Sequence, residues 1–217
     1  MSALSLDRGS SWLRTSTAVS VLDDIHWPGV EVSIWQRRLP PSLSWWLERL
    51  SVGQLPDGRV LCRPGDLRQA VAALMRPTTP LGPMEDILLD DIVALGEIFV
   101  RLSRNELLDV RLERVDDDGC AAFHRDCVNF RLLTTYLGPG TQWIAPPDAC
   151  RALSMQRAFD GPIEQFPHHA VGVVRGCQAS EAQGLVHRSP PIEGTSQVRL
   201  LLCLNEPSAT SPELWGS

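Results

Sequence analysis

"FHRDCVNFRLLTTYLGPGTQW", residues 123–143, sets His124 and Asp126 two positions apart, just before an apolar run that closes on Gly138, Pro139 and Gly140. Successive side chains of an extended chain leave on alternate faces, so residues two apart share a face. If this stretch is extended, an imidazole and a carboxylate stand together, close enough to hold one ion. "FRLLTTYLG" is short, rich in branched residues and bounded by a Gly-Pro-Gly turn, which predicts a strand here.

Two imidazoles and one carboxylate on one face of a non-haem iron leave positions open for a substrate and dioxygen. The third ligand must therefore come from elsewhere in the chain, and "GLVHRSPP" offers His187 ahead of the strand "VRLLLCLN". Alternation in that strand puts Arg199, Leu201 and Cys203 on one face and Leu200, Leu202 and Leu204 on the other. Arg199 then points into a pocket, where a lone guanidinium calls for an anion. The plainer alternatives are that the His-x-Asp pair is a coincidence and that Arg199 makes an ion pair at a sheet edge.

Outward from this centre, the two halves of the chain differ in character. "VEVSIWQR" alternates Val30, Val32 and Ile34 as a short strand. "PPSLSWWLERL" then predicts a helix with Trp45, Trp46, Leu47 and Leu50 as its apolar residues. "RPGDLRQAVAALM" predicts a second helix, capped by Asp66, with Leu67, Val71, Leu74 and Met75 on one face. The longest helical signal is "MEDILLDDIVALGEIFVRLSR", whose Glu85, Asp86, Asp90 and Asp91 suit a solvated first turn near the positive end of the helix dipole. After Arg104 strands dominate, beginning with Leu108, Val110, Leu112 and Val115 and the turn "DDDG". The expected fold class is α+β in one domain: a loose lead-in over 1–20, a mainly helical part over 21–105, a β core over 106–206 and a frayed tail over 207–217.

Composition narrows the function classes. The 217 residues are 43% hydrophobic and 21% charged, with seven Trp, which suits one soluble core without staples. The net charge of -6 comes from 26 acidic and 20 basic residues, the basic ones scattered singly, so nucleic acid is not expected as a partner. No apolar run approaches a membrane span and the N-terminus lacks a secretory pattern, so a cytoplasmic protein is expected. Six dispersed cysteines without a C-x-x-C pair predict reduced, mostly buried thiols.

The order His-x-Asp, a distal His roughly sixty residues on, and an Arg twelve further resembles the iron and 2-oxoglutarate-dependent oxygenases of the double-stranded β-helix (jelly-roll) fold. Three blocks, "VEVSIWQR", "FHRD" with "RLLTTYLGPGTQW", and "GLVHRSPP" with "RLLLCLN", resemble the bacterial family called domain of unknown function 1826. The resemblance implies a jelly-roll for the β half, Fe(II) at His124, Asp126 and His187, and 2-oxoglutarate with its far carboxylate on Arg199, where a planar fork suits bidentate pairing. It further implies Tyr136 as a hydrogen-bond partner of that carboxylate, and Arg131 and Arg188 as residues that orient the ligands or pair with nearby acids. "GPGTQW" resembles the hairpin after the first ligand strand of such enzymes. Hydroxylation of an unread substrate is the implied activity. The alternative is a non-catalytic cupin-like barrel holding zinc, in keeping with the family's contextual link to zinc homeostasis. Of the other histidines, His168 and His169 are expected at a strand entry and His26, near Asp23 and Asp24, in a turn.

Overall fold

A computed structural model describes residues 12–180 and 183–216. Ten strands and four α-helices follow in chain order: β1 (Leu13–Ser16), β2 (Val32–Trp35), α1 (Pro41–Arg49), β3 (Gly58–Cys62), α2 (Leu67–Met75), α3 (Pro83–Ser103), β4 (Leu108–Val115), β5 (Phe130–Leu137), β6 (Gln142–Ile144), α4 (Ala149–Met155), β7 (Glu164–Gln165), β8 (Val171–Arg175), β9 (Val186–Arg188) and β10 (Arg199–Asn205). Seven strands form a large sheet in the order β1-β2-β8-β5-β10-β4-β3, and three form a small sheet in the order β7-β6-β9. All pairings are antiparallel except β1 with β2.

Side-chain alternation sorts the layers. Along β10, Leu200, Leu202 and Leu204 join α1, α2 and α3 in the largest core, where α3 contributes Leu88, Ile92, Leu95 and Phe99 at helical spacing. Leu201 and Cys203 turn the other way and meet Trp143 of the small sheet, together with Val32, Ile34 and Leu133. The outer face of the small sheet is covered by α4, with Phe123, Ile144, Ala152 and Val186 between them. The layers therefore run from helices through the large sheet to the small sheet and α4, with a sheet-on-sheet interior open to the site.

Several boundaries differ from the sequence expectation. The region before residue 105 holds the strand expected at "VEVSIWQR" as β2, and β1 and β3 besides, which form the two edges of the large sheet. Residues 13–16 of the supposed lead-in are β1, and residues 1–11 lie outside the described region. The tail is pinned, with the Trp215 amide donating to the Leu61 carbonyl at 2.8 Å and its ring packed on the main core. In α1 the buried residues are Leu43 and Leu47, while Trp45 is exposed. Asp66 makes no side-chain cap bond; a short 3-10 turn over Pro64–Asp66 leads into α2 instead.

Asp91 is the main departure in α3. Rather than facing solvent, it is held by the Arg37 guanidinium, whose Nη2 lies 2.9 Å from its Oδ2, and it accepts a 2.6 Å hydrogen bond from the Tyr136 hydroxyl. Next to them is His169, a strand-entry residue in the left-handed region at φ 62°, whose carbonyl accepts from Arg37 Nε at 3.2 Å. Burial, then the adjoining His168 and Arg37, lowers the His169 pKa to about 4. The unfolded chain takes up this proton near the ordinary value and the folded chain does not, so the contribution is complete above about pH 6.5 and lost as pH falls toward 4. His169 is buried, so on the order of 3 kcal/mol of stability should go over that range. His169→Asn tolerates the left-handed backbone and should flatten that part of the pH profile of urea denaturation. An unchanged profile would show that another group titrates.

Candidate metal and anion site

His124 and His187 are brought together by the small sheet. Each donates its backbone N–H to the carbonyl of the other at 3.0 Å, so they form a directly opposed antiparallel bridge that adds His124 to the edge of β9. Opposed residues project to the same side, which sets the two rings 4.6 Å apart between centroids. Asp126, two residues past His124, follows on that side as alternation requires. His124 Nε2 lies 3.8 Å from Asp126 Oδ1, and His187 Nε2 lies 3.3 Å from Asp126 Oδ2. Together these form the one His/Cys/Asp/Glu group among the described residues able to hold a metal, all ligand atoms lying within 4.8 Å of one another.

The hydrogen bonds fix how each ring presents itself. His124 Nδ1 is 2.9 Å from the Ala122 carbonyl and His187 Nδ1 is 3.1 Å from the Leu185 carbonyl. A carbonyl can only accept, so both Nδ1 atoms carry the proton, and in the neutral ring Nε2 keeps its lone pair. Burial holds the His187 pKa below its ordinary value, which favours that neutral form despite the opposing pull of Asp126. The lone pair of His187 Nε2 thus faces Asp126 Oδ2, a buried oxygen without a hydrogen-bond partner among the described residues. Two acceptors at that distance repel unless a cation lies between them. Metal–ligand bonds of about 2.0–2.2 Å place neighbouring ligand atoms about 3.0–3.5 Å apart, so the donor set fits a divalent ion with a small inward movement of His124.

Asp126 is held from behind. Arg131, on β5, donates from Nη1 to Asp126 Oδ1 and from Nε to Asn205 Oδ1, both at 2.6 Å. This leaves Oδ2 as the free oxygen and orients it toward the histidines. Arg188 is different: it leaves the opposite side of β9 from His187, stacks over the Phe123 ring at 4.1 Å and donates to Gln142 Oε1 at 2.8 Å.

Arg199 is fully buried at the start of β10. Its Nε donates to the Pro139 carbonyl at 2.7 Å, Nη1 to Ser189 Oγ at 2.7 Å, and Nη2 to Thr141 Oγ1 at 3.2 Å and Thr135 Oγ1 at 3.4 Å. Burial lowers its pKa to about 10, so it stays charged at neutral pH. Every one of those acceptors is neutral, an unusual state for a buried cation. Thr141 and Ser189 also line the cleft occupied by His124 and His187. An anion in that cleft meets their hydroxyls with the guanidinium directly behind.

The Gly-Pro-Gly turn builds part of this cradle. Gly138 has φ 80°, and a Cβ there would stand 2.5 Å from the Val198 carbonyl oxygen and 3.0 Å from Arg199 Cγ. Gly138→Ala should cost about 1–2 kcal/mol, from the left-handed backbone alone, read as a lower urea midpoint. Unchanged stability would mean that the turn relaxes freely.

Tyr136 does not belong to this site. Thr135 is the β5 residue that reaches Arg199, whereas Tyr136, the extra residue where β5 shifts register against β10, packs in the helix-side core with its hydroxyl spent on Asp91. His168 and His169 lie with that helix-side group. His26 packs edge-on against Phe130, and Asp23 pairs with Arg101, so neither joins a metal cluster. The thiols are less buried than expected: Cys62 and Cys203 are buried, whereas Cys120, Cys127 and Cys150 are exposed and Cys177 is intermediate. Thr135, on β5, and Thr141 and Ser189, next to β6 and β9, were missed, since hydroxyls in and beside strands carry no signal until the pairing is known.

Comparison with solved structures agrees with this architecture. The dioxygenase for auxin oxidation 1 from Arabidopsis thaliana, solved as a 2-oxoglutarate complex, matches with a TM-score of 0.54 at 12% identity, over 93% of this chain and 95% of that chain. The rice dioxygenase for auxin oxidation matches at TM-score 0.48 and 10% identity, over 84% and 77% of the two chains. A Pseudomonas putida prolyl-4-hydroxylase matches at 0.44 and 11%, over 86% and 92%. No curated protein sequence matches. Fold and site together define an α+β protein that resembles the 2-oxoglutarate oxygenase fold and carries a His-Asp-His candidate metal site. The chain belongs to the family described as "Protein of unknown function (DUF1826)", which it matches over residues 16–205. Among the described residues no helix is long and apolar enough to cross a membrane.

Proposed function

We propose that the chain is an Fe(II)- and 2-oxoglutarate-dependent oxygenase that hydroxylates a substrate still to be found. The observation that carries this is the pairing of two demands at one cleft: the opposed acceptors of His187 and Asp126, which a cation would reconcile, and, behind Thr141 and Ser189, the Arg199 guanidinium, which hydrogen-bonds only to neutral acceptors among the described residues while Glu113 acts on it from a distance. His124, Asp126 and His187 would hold the metal, and Arg199 with Thr141 and Ser189 would hold the far carboxylate of 2-oxoglutarate. When bound, the metal and cosubstrate supply the oxidising chemistry.

The chain's own residues do the rest. Arg131 keeps Asp126 oriented, the Ala122 and Leu185 carbonyls hold the Nδ1 side of both imidazoles so that Nε2 points forward, and Leu133, Leu201 and Cys203 give the cleft an apolar wall. A zinc-holding barrel would use the same three ligands but has no use for a buried guanidinium. Anaerobic addition of Fe(II) and then 2-oxoglutarate to metal-free protein should produce a weak visible charge-transfer band only when both are present. Tight metal binding with no response to 2-oxoglutarate would instead support the zinc-holding alternative.

A further inference from the structure

Cys127 immediately follows the ligand Asp126, and its Sγ lies 3.5 Å from that of Cys177, in the loop after β8. Backbone bonds hold the two loops together: the Cys177 amide donates to the Asp126 carbonyl at 2.9 Å, Gln178 to Val128 at 3.2 Å and Gly176 to Asn129 at 2.8 Å. Gly176 lets the two loops approach this closely, since a Cβ there would collide with the Val128 carbonyl. Cys127 is exposed and Cys177 partly so, which gives a soluble oxidant access. Neither sulfur has a part in the proposed metal and anion site.

From this geometry we infer that Cys127 and Cys177 are a redox modification site, a dithiol that closes reversibly to a disulfide on exposure to a peroxide. One sulfur attacks a peroxide oxygen; the O–O bond breaks, the thiol proton leaves with the departing hydroxide as water, and a sulfenic acid remains. The second sulfur then attacks the first, the S–S bond forms, the S–O bond breaks and a second water leaves. Two thiols are oxidised by two electrons in all and one peroxide is reduced. A dithiol reductant reverses the change. Closure draws the sulfurs in to about 2 Å, which shifts the segment carrying Asp126 relative to the two histidines. Oxidation should therefore weaken metal binding, a consequence that rests on the metal reading above.

The test treats the metal-free full-length protein with hydrogen peroxide and maps tryptic peptides without reduction. The expected product links Asp126–Arg131 to Gly176–Arg188, is lost in Cys127→Ser and in Cys177→Ser, persists in Cys150→Ser and disappears on reduction. Unlinked sulfinic products at the two cysteines, or equal linkage to Cys120 or Cys150, would overturn the inference. The Kd for Zn(II) should be about tenfold weaker in the cross-linked than in the reduced protein. Equal affinities would remove the coupling to Asp126, whereas a reduced protein that binds no zinc would sink the metal reading and leave the cross-link standing.

Discussion

Asp126→Asn should abolish metal binding while leaving the metal-free fold intact. Second-sphere losses typically weaken a metal site 10–100-fold, so removal of the only anionic ligand should cost at least about a thousandfold in affinity, roughly 4 kcal/mol. The fold should survive because asparagine keeps an acceptor for the 2.6 Å bond from Arg131 and puts an N–H₂ where Oδ2 now faces His187 Nε2 at 3.3 Å. That exchange turns an acceptor–acceptor contact into a hydrogen bond, worth about 1 kcal/mol. Metal-free Asp126→Asn should then unfold no earlier than wild type. At a metal concentration 100 times Kd the wild type gains about 2.7 kcal/mol by linkage and the variant gains nothing. Thermal unfolding with and without Co(II) or Zn(II) measures both. An equal metal-dependent rise in the two proteins would place the ion elsewhere, and a marked loss of metal-free stability would mean that the His187–Asp126 contact is an ordinary ion pair.

How far such a site can be read from sequence depends on which relation fixes each residue. The His124–Asp126 spacing is local, and alternation alone put both on one side. His187 and Arg199 were found through chain order, because no local rule says that His187 lies opposite His124; that follows from two reciprocal backbone bonds between segments far apart in the chain. Tyr136 failed by one position. An aromatic hydroxyl near the predicted pocket drew attention, but the register of β5 against β10 gives the inward place to Thr135, and a one-residue change of register reverses every side chain. Among the acids of α3, Asp86 and Asp90 are exposed as expected, but Asp91 was misjudged for a related reason: the 3.6 period separates an apolar from a polar face but cannot say that Arg37 and Tyr136 converge on Asp91. The short strands β1 and β3 carry too few residues to show a period, and their place at the sheet edges is set by pairing across the whole chain.

Arg199→Met should leave the protein folded and weaken 2-oxoglutarate binding by about a hundredfold. Methionine follows the apolar stem of the arginine, and replacement of a buried charge by an apolar side chain of similar length is often tolerated. The groups left behind, Ser189, Thr141 and Thr135, are hydroxyls that can turn toward one another, whereas the Pro139 carbonyl loses its 2.7 Å donor and accounts for a loss of about 1 kcal/mol. Bidentate pairing with the carboxylate, once Arg199 exchanges its bonds to the Ser189 and Thr141 hydroxyls for it, would be worth more, about 3 kcal/mol for the pair of bonds, which sets the expected hundredfold. Arg199→Lys should fall between, since an ammonium keeps the charge without the planar fork. Calorimetric titration of 2-oxoglutarate into protein loaded with Mn(II) separates the two sites: metal affinity should be the same in wild type and Arg199→Met, and only the cosubstrate affinity should change. If Arg199→Met binds 2-oxoglutarate as well as wild type does, the buried guanidinium is a structural cation tied to the Gly-Pro-Gly turn, and the oxygenase proposal loses the residue that distinguishes it from a zinc-holding barrel.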